Sequence, residues 1–375
     1  MKKFLSLFLI ITSMMFSATD YIARGIFTND GRLLEGENVE IKHPLNSITK
    51  LMSGLIVFDK ISEGKLSLNS ITKVLEIESK LDGSKMPLKA GEEVKVEDLL
   101  IGMLLGNQNN ATLILARLVA KNETEFVKLM NAKAKKLGMK NTIFYTSTGL
   151  HADITKKKSD VGTVTDINKM MNSIYKNKAM YNMLVQKSMK IKDKSVTIDN
   201  VNKISSKDPL AIGIRQGYYA STGYNVIFTT SKERKNYTVI LLGSLSEEAR
   251  NSQINEEIDA LKNNFKTSIL ISAGEFIIEA PLKDGKEKRI ALYAGKDIRE
   301  EIKSDWKLNK YVFLPKEIKA PIKKGEKVGT YIISYEGREI GRTDLVTTVD
   351  IPKSNFLDEI KKKFTINRKL WLSWL

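Results

Sequence analysis

The sequence predicts a mixed α/β domain over 19–273 and a small all-β domain over 274–352. Three observations carry this expectation. At 375 residues the chain exceeds one average domain, and 42% apolar residues supply enough material for two cores. Up to about Gly274, apolar residues recur with the 3.6-residue period of helices between short strand-like runs. Beyond it the pattern becomes short alternating strands punctuated by Gly285, Gly295, Gly325, Gly329, Gly337 and Gly341. Residues 1–18 and 353–375 stand apart from both.

The leading segment predicts export. Lys2 and Lys3 precede an apolar run over 4–11 interrupted only by Ser6, and Ser13, Ser17 and Ala18 supply small residues before Thr19-Asp20. This is the composition of a secretory signal over 1–18. The run is shorter than the roughly 20 residues a membrane span needs. Lys and Arg number 61 against 44 Asp and Glu, a net charge of +17, which calls for anionic partners. For an exported chain these are lipid surfaces or envelope polymers, and nucleic acid is not expected. There is no cysteine, which excludes thiol catalysis, disulfides and Cys-zinc sites. His43 and His151 are the two histidines, too few for a His-rich metal centre and a poor supply for a Ser-His-Asp triad.

Taken in order, residues 21–40 read as two strands around Asp30-Gly31, with Ile22, Ile26 and Phe27 before the turn and Leu33 and Leu34 after it. Leu51, Met52, Leu55, Ile56 and Phe58 then mark a helix. Two further helices are expected over 98–121 and 123–137, with Gly138 as a left-handed cap. Residues 226–228 and 237–242 are apolar strands on either side of a charged hairpin over 231–236. A closing helix is expected over 261–271.

Chemistry enters at Ser47-Ile48-Thr49-Lys50. Residues three apart on a helix share a face, so Lys50 would stand beside Ser47. A lysine that is partly desolvated or near other cations can lose its proton and accept that of the serine hydroxyl. The pentapeptide Asn-Ser-Ile-Thr-Lys occurs twice, at 46–50 and 69–73. The first copy opens the periodic helix. The second runs into Val74, Leu75 and Ile77 as extended chain, where Ser70 and Lys73 would point to opposite faces. Ser47 is therefore the expected nucleophile and Lys50 its base.

S-x-x-K is the first motif of the β-lactamase and penicillin-binding group, and other segments carry the resemblance further. Gly83-Ser84-Lys85-Met86-Pro87-Leu88-Lys89-Ala90-Gly91-Glu92, the helix over 126–139, Thr148-Gly149-Leu150-His151, Asn200-Val201-Asn202-Lys203 and residues 319–329 follow one another in family order. The chain resembles serine-type D-alanyl-D-alanine carboxypeptidases, the low-molecular-mass penicillin-binding proteins, from about Tyr21 to its C-terminus. The resemblance implies a penicillin-recognising fold, with an antiparallel sheet flanked by helices.

It also implies two further motifs, and both are altered. The family's S-x-N falls on Asn107-Gln108-Asn109. Asn109 would bond the substrate amide and hold Lys50. Asn107 stands where a serine hydroxyl relays a proton, which an amide cannot do. The family's K-T-G falls on Arg215-Gln216-Gly217. Arg215 keeps the charge and would grip a terminal carboxylate bidentately, but it does not shuttle protons. Gly217 would let a strand-like substrate approach closely.

The implied activity is removal of the terminal D-alanine from peptidoglycan stem peptides through an acyl-enzyme on Ser47, with β-lactams as covalent inhibitors and no metal or organic cofactor. The alternative is a wall-binding, penicillin-binding relative with little turnover. Finally, Leu357, Ile360, Phe364, Trp371 and Leu375 fall on one helical face, and from Lys361 onward the tail carries five basic residues and no acidic one. That pattern describes a helix lying on an anionic membrane surface, so 353–375 is expected to hold the exported protein peripherally on the cytoplasmic membrane.

Overall fold

The computed structural model describes residues 20–81, 83–191 and 196–355. The expected signal segment over 1–18 and the helical face that begins at Leu357 lie outside the described residues. The chain divides into two compact units between Leu261 and Lys262.

The first unit is built on a five-stranded antiparallel sheet. Its spatial order is Leu33–Glu37, Ala23–Thr28, Lys235–Ser244, Gly223–Lys232 and Ile212–Tyr219. The N-terminal hairpin is thus joined to the last three strands, with Ala23 opposite Leu242 and Thr28 opposite Tyr237. Val239, Ile240, Leu241 and Leu242 are all buried, as are Val226, Ile227 and Phe228, which explains runs that are apolar throughout rather than alternating. The hairpin expected over 231–236 is tighter than its charged sequence suggests. Lys232 pairs with Lys235, and only Glu233 and Arg234 turn, both with positive φ, as a two-residue hairpin requires.

The helix Thr49–Ser62 buries ten consecutive residues, Thr49 to Phe58. Along those ten residues it is enclosed on every side, and it shares one core with Val96–Leu104, Asn109–Ala120, Glu123–Lys136 and Val164–Lys176. Gly138 ends Glu123–Lys136 at φ +73°, as expected of the cap.

Two expectations are corrected. The single helix read over 98–121 is two, Val96–Leu104 and Asn109–Ala120. Asn107 takes φ +56°, which no α-helix accommodates. The break places Asn107-Gln108-Asn109 at a helix junction. The helix read over 261–271 is also wrong. Glu247–Asn264 is helical, but Phe265–Ile271 is a strand paired with Ile298–Lys303. Leu261, Phe265 and Ile269 fit a helical period, yet alternation through Phe265, Thr267, Ile269 and Ile271 fits a strand equally well. The partner strand decides.

The second unit therefore begins at Lys262, earlier than the Gly274 expected from glycine spacing. Its sheet runs Phe276–Pro281, Arg289–Ala294, Arg338–Val346, Lys327–Tyr335 and Asn309–Phe313. It has its own core around Ile290, Leu292, Ile333 and Leu345. Among the described residues, no helix is long and apolar enough to cross a membrane.

Candidate active site

Ser47 lies in the tight turn Asn46–Ile48 that leads directly into the buried helix. Neighbouring segments fix this turn. Asn46 Nδ2 donates to Thr222 Oγ1 at 2.9 Å, Leu45 N–H to Asp160 O at 2.9 Å, and Asn225 Nδ2 to Pro44 O at 2.8 Å. The edge strand Ile212–Tyr219 runs beside it so closely that a Cβ on Gly217 would lie 2.9 Å from Ser47 N and 3.0 Å from Asn46 Cβ. Gly217 is thus required by the protein's own packing against the Ser47 turn.

Lys50 is 1% exposed, and its Nζ lies 3.3 Å from Ser47 Oγ while donating to Thr148 O at 2.9 Å. Burial holds its pKa well below the ordinary lysine value, the Arg215 charge depresses it further, and Asp160 opposes both. The helix thus presents a serine beside an amine whose charged form burial disfavours.

Asp160 was not singled out in the sequence, where it follows the basic run Lys156-Lys157-Lys158. It is buried and accepts from Thr49 Oγ1 at 2.8 Å, Thr146 Oγ1 at 2.8 Å and the N–H groups of Tyr145 and Thr146. Burial raises its pKa and these hydrogen bonds act against that rise. Its structural effect is to tie the loop carrying Thr148 O, the partner of Lys50, to the helix Thr49–Ser62.

Asn109 opens the helix Asn109–Ala120, and its N–H donates to Ser84 O at 2.7 Å. Asn110 clamps the same loop through Met86 N–H and Met86 O, each at 2.9 Å. Ser47, Lys50, Asn107 and Asn109 line one cleft of about 240 Å³, with Gly83, Ser84, Thr148, His151, Tyr218 and Tyr219 among its other walls. The stacked pair His151–Tyr219, with ring centroids 3.8 Å apart, forms one side. A larger cavity of about 420 Å³ shares no residue with this one. Its charged wall pairs internally, Arg24 with Glu35 and Glu257.

The third motif departs from expectation. Arg215 is completely buried and does not line the cleft. Its Nη1 donates to Met103 O at 3.3 Å and Asn107 Oδ1 at 3.2 Å, and its Nη2 to Leu104 O at 3.1 Å. The guanidinium caps the C-terminus of Val96–Leu104, where carbonyls and the helix dipole favour a cation. A bidentate grip on a substrate carboxylate is therefore not what this geometry offers. Burial pushes the pKa of Arg215 down to about 9. Gln216 is likewise occupied: its Nε2 donates to Lys203 O, its Oε1 accepts from Arg250 Nη1 at 2.7 Å, and its N–H donates to Asn202 Oδ1 at 3.2 Å.

This fold and cleft set a serine hydroxyl beside a buried lysine amine, the arrangement of a serine acyl-transfer protein. Residues 14–245 match the D-alanyl-D-alanine carboxypeptidase family of S11 peptidases, and 265–353 match the penicillin-binding protein 5 C-terminal domain. The chain belongs to the D-alanyl-D-alanine carboxypeptidase family. It is 26% identical over 336 residues to the Bacillus subtilis D-alanyl-D-alanine carboxypeptidase DacF, covering 88% of this chain and 86% of that protein. To Escherichia coli DacA it is 26% identical over 350 residues, covering 88% and 83%. The crystal structure of DacD from Francisella tularensis shares the fold at a TM-score of 0.72 and 21% identity, covering 89% of this chain and 94% of that one.

Proposed function

We propose that the protein is a serine-type carboxypeptidase that removes the terminal D-alanine from peptidoglycan stem peptides. The observation that carries this is the Ser47–Lys50 pair: a hydroxyl 3.3 Å from a buried amine whose charged form is disfavoured. Ser47 Oγ attacks the penultimate carbonyl as Lys50 Nζ takes its proton. The backbone N–H of Ser47 at the helix entrance stabilises the oxyanion. The C–N bond breaks, D-alanine leaves, and water then releases the shortened peptide from the Ser47 ester. Asn109 aligns the substrate amide. Arg215 acts from beneath, holding Asn107 and adding to the effect of burial that depresses the Lys50 pKa. β-Lactams present an amide to the same serine and acylate it.

Family membership and relatives named as carboxypeptidases support turnover over a non-catalytic wall-binding role. Mature protein incubated with diacetyl-L-Lys-D-Ala-D-Ala is expected to release D-alanine, and the Ser47→Ala variant is not. No release by wild type at any pH or enzyme concentration would overturn the reading.

The expected export and peripheral membrane attachment complete the proposal. They rest on the composition of 1–18 and 353–375. The mature protein should bind anionic vesicles in low salt, and truncation after Asn355 should remove that binding while penicillin labelling persists. Full vesicle binding by the truncated form would refute the anchor.

A further inference from the structure

Breaking the C–N bond of the Ser47 adduct requires that the departing nitrogen gain a proton, because an amide anion is too basic to leave. The proton taken from Ser47 rests on Lys50 Nζ, which is deeply buried and hydrogen-bonded to Thr148 O. Asn107 cannot pass it on. Its side-chain oxygen accepts from Arg215, and an amide has no hydroxyl to exchange one proton for another.

The other hydroxyls on the described cleft wall belong to Ser84, Thr148, Tyr218 and Tyr219. Thr148 Oγ1 accepts from Leu150 N–H at 3.3 Å. Tyr219 donates to Asp153 Oδ2 at 3.0 Å, and Tyr218 stacks on Tyr224 with centroids 4.2 Å apart. Ser84 differs from all three. Its carbonyl is fixed by the Asn109 N–H, which seats it beside the altered second motif. The turn before it is fitted to the same asparagine: Gly83 has φ +80°, and a Cβ there would lie 2.7 Å from Asn109 Nδ2. The Ser84 hydroxyl itself makes one long hydrogen bond, 3.4 Å to Gly106 O, so it can swing to a substrate at little cost.

We propose that Ser84 Oγ is the proton relay of this site, taking the part that Asn107 cannot play; the proposal rests on the acyl-transfer reading above. As the C–N bond breaks, Ser84 Oγ–H gives its proton to the nitrogen and accepts the proton that Lys50 took from Ser47. Ser84 ends as a hydroxyl and Lys50 as a neutral amine. Ser47 ends as the acyl ester, and D-alanine leaves with its nitrogen protonated. No outside acid is consumed.

The test compares kcat/KM for diacetyl-L-Lys-D-Ala-D-Ala with that for the matching thioester, whose thiolate leaves without a proton. For the full mature chain, Ser84→Ala should lower the amide value by about 10²-fold, and at least about tenfold more than the thioester value. Ser84→Thr, which keeps a hydroxyl, should recover most of the loss. Equal falls on both substrates would show that Ser84 only shapes the cleft and would overturn the relay, as would an amide value unaffected by Ser84→Ala. Wild-type protein that fails on the amide would overturn the carboxypeptidase reading itself. Wild-type turnover with an unimpaired Ser84→Ala variant would overturn the relay alone.

Discussion

Substituting Asn107 by serine would restore the family's hydroxyl, but it removes two things at once. The first is the side-chain oxygen that accepts from Arg215 Nη1 at 3.2 Å, which the shorter serine cannot replace. The second is a residue suited to φ +56°. A hydrogen bond to a charged group contributes about 1.5–3 kcal/mol. The left-handed conformation costs an ordinary L-residue about 1–2 kcal/mol, part of which asparagine escapes by bonding locally. Together these put the cost of Asn107→Ser near about 3 kcal/mol. For a unit of this size that corresponds to a fall of about 6–12 °C in Tm. Arg215→Lys alone should also destabilise, because one ammonium cannot span Met103 O, Leu104 O and Asn107 Oδ1 as the guanidinium fork does. The two losses share one contact. The double variant should therefore be more stable than their sum by at least about 1 kcal/mol. D-Alanine release should show the same coupling, the double variant losing less activity than the product of the two single losses. The assay is a double-mutant cycle read by urea denaturation and by kcat/KM on the peptide. Asn107→Ser with wild-type stability and raised activity, or additivity within about 0.5 kcal/mol, would refute the reasoning.

Three further outcomes are expected. Ser47→Ala should abolish covalent labelling by fluorescent penicillin and Ser70→Ala should not, since Ser70 accepts from Ser67 N–H and lies outside the cleft; a labelled Ser47→Ala variant would refute this. Lys50 must be neutral to accept a proton and its pKa is depressed, so acylation should rise with pH through a value well below that of free lysine and then level. Arg215→Met removes a repelling charge, lets the ammonium form more readily, and should move this acid limb to higher pH; a limb that stays in place in stopped-flow acylation would refute the assignment. Gly217→Ala should cost about 1–3 kcal/mol, because the atoms it meets belong to the backbone and Cβ of the nucleophile turn. The displaced turn should slow penicillin acylation by about 10²-fold, and an unchanged rate would show that the strand yields instead.

Much of the chemistry was legible in the chain. Ser47 and Lys50 are local: a three-residue spacing at the start of a periodic apolar helix places them together whatever the rest of the fold does. The same spacing at Ser70 and Lys73 falls on the strand Ile71–Lys73 and its approach, and extended chain separates them. The uninterrupted apolar strands at 226–228 and 237–242 and the alternating, glycine-punctuated β domain were readable because apolar runs, alternation and turn residues are local as well.

What sequence could not decide depends on which distant segments become neighbours. Leu104-Leu105 is apolar whether or not a helix ends there, so the break before Asn109 shows only once Arg215 caps Met103 O and Leu104 O from a strand more than 100 residues away. The charge of Arg215 was plain from its residue type, but its direction was not. A guanidinium faces solvent, substrate or a helix end according to which of them its strand is laid against, and here the helix end takes both of its Nη groups. Asp160 lies in a stretch whose lysines suggest a solvated surface, yet its carboxylate is buried because Thr49, Tyr145 and Thr146 converge on it. The sequence by itself determined that Ser47 and Lys50 adjoin, and the order of the motifs. The tertiary structure decided where each altered side chain points, because burying a charged or polar group requires partners that only the folded chain brings within reach.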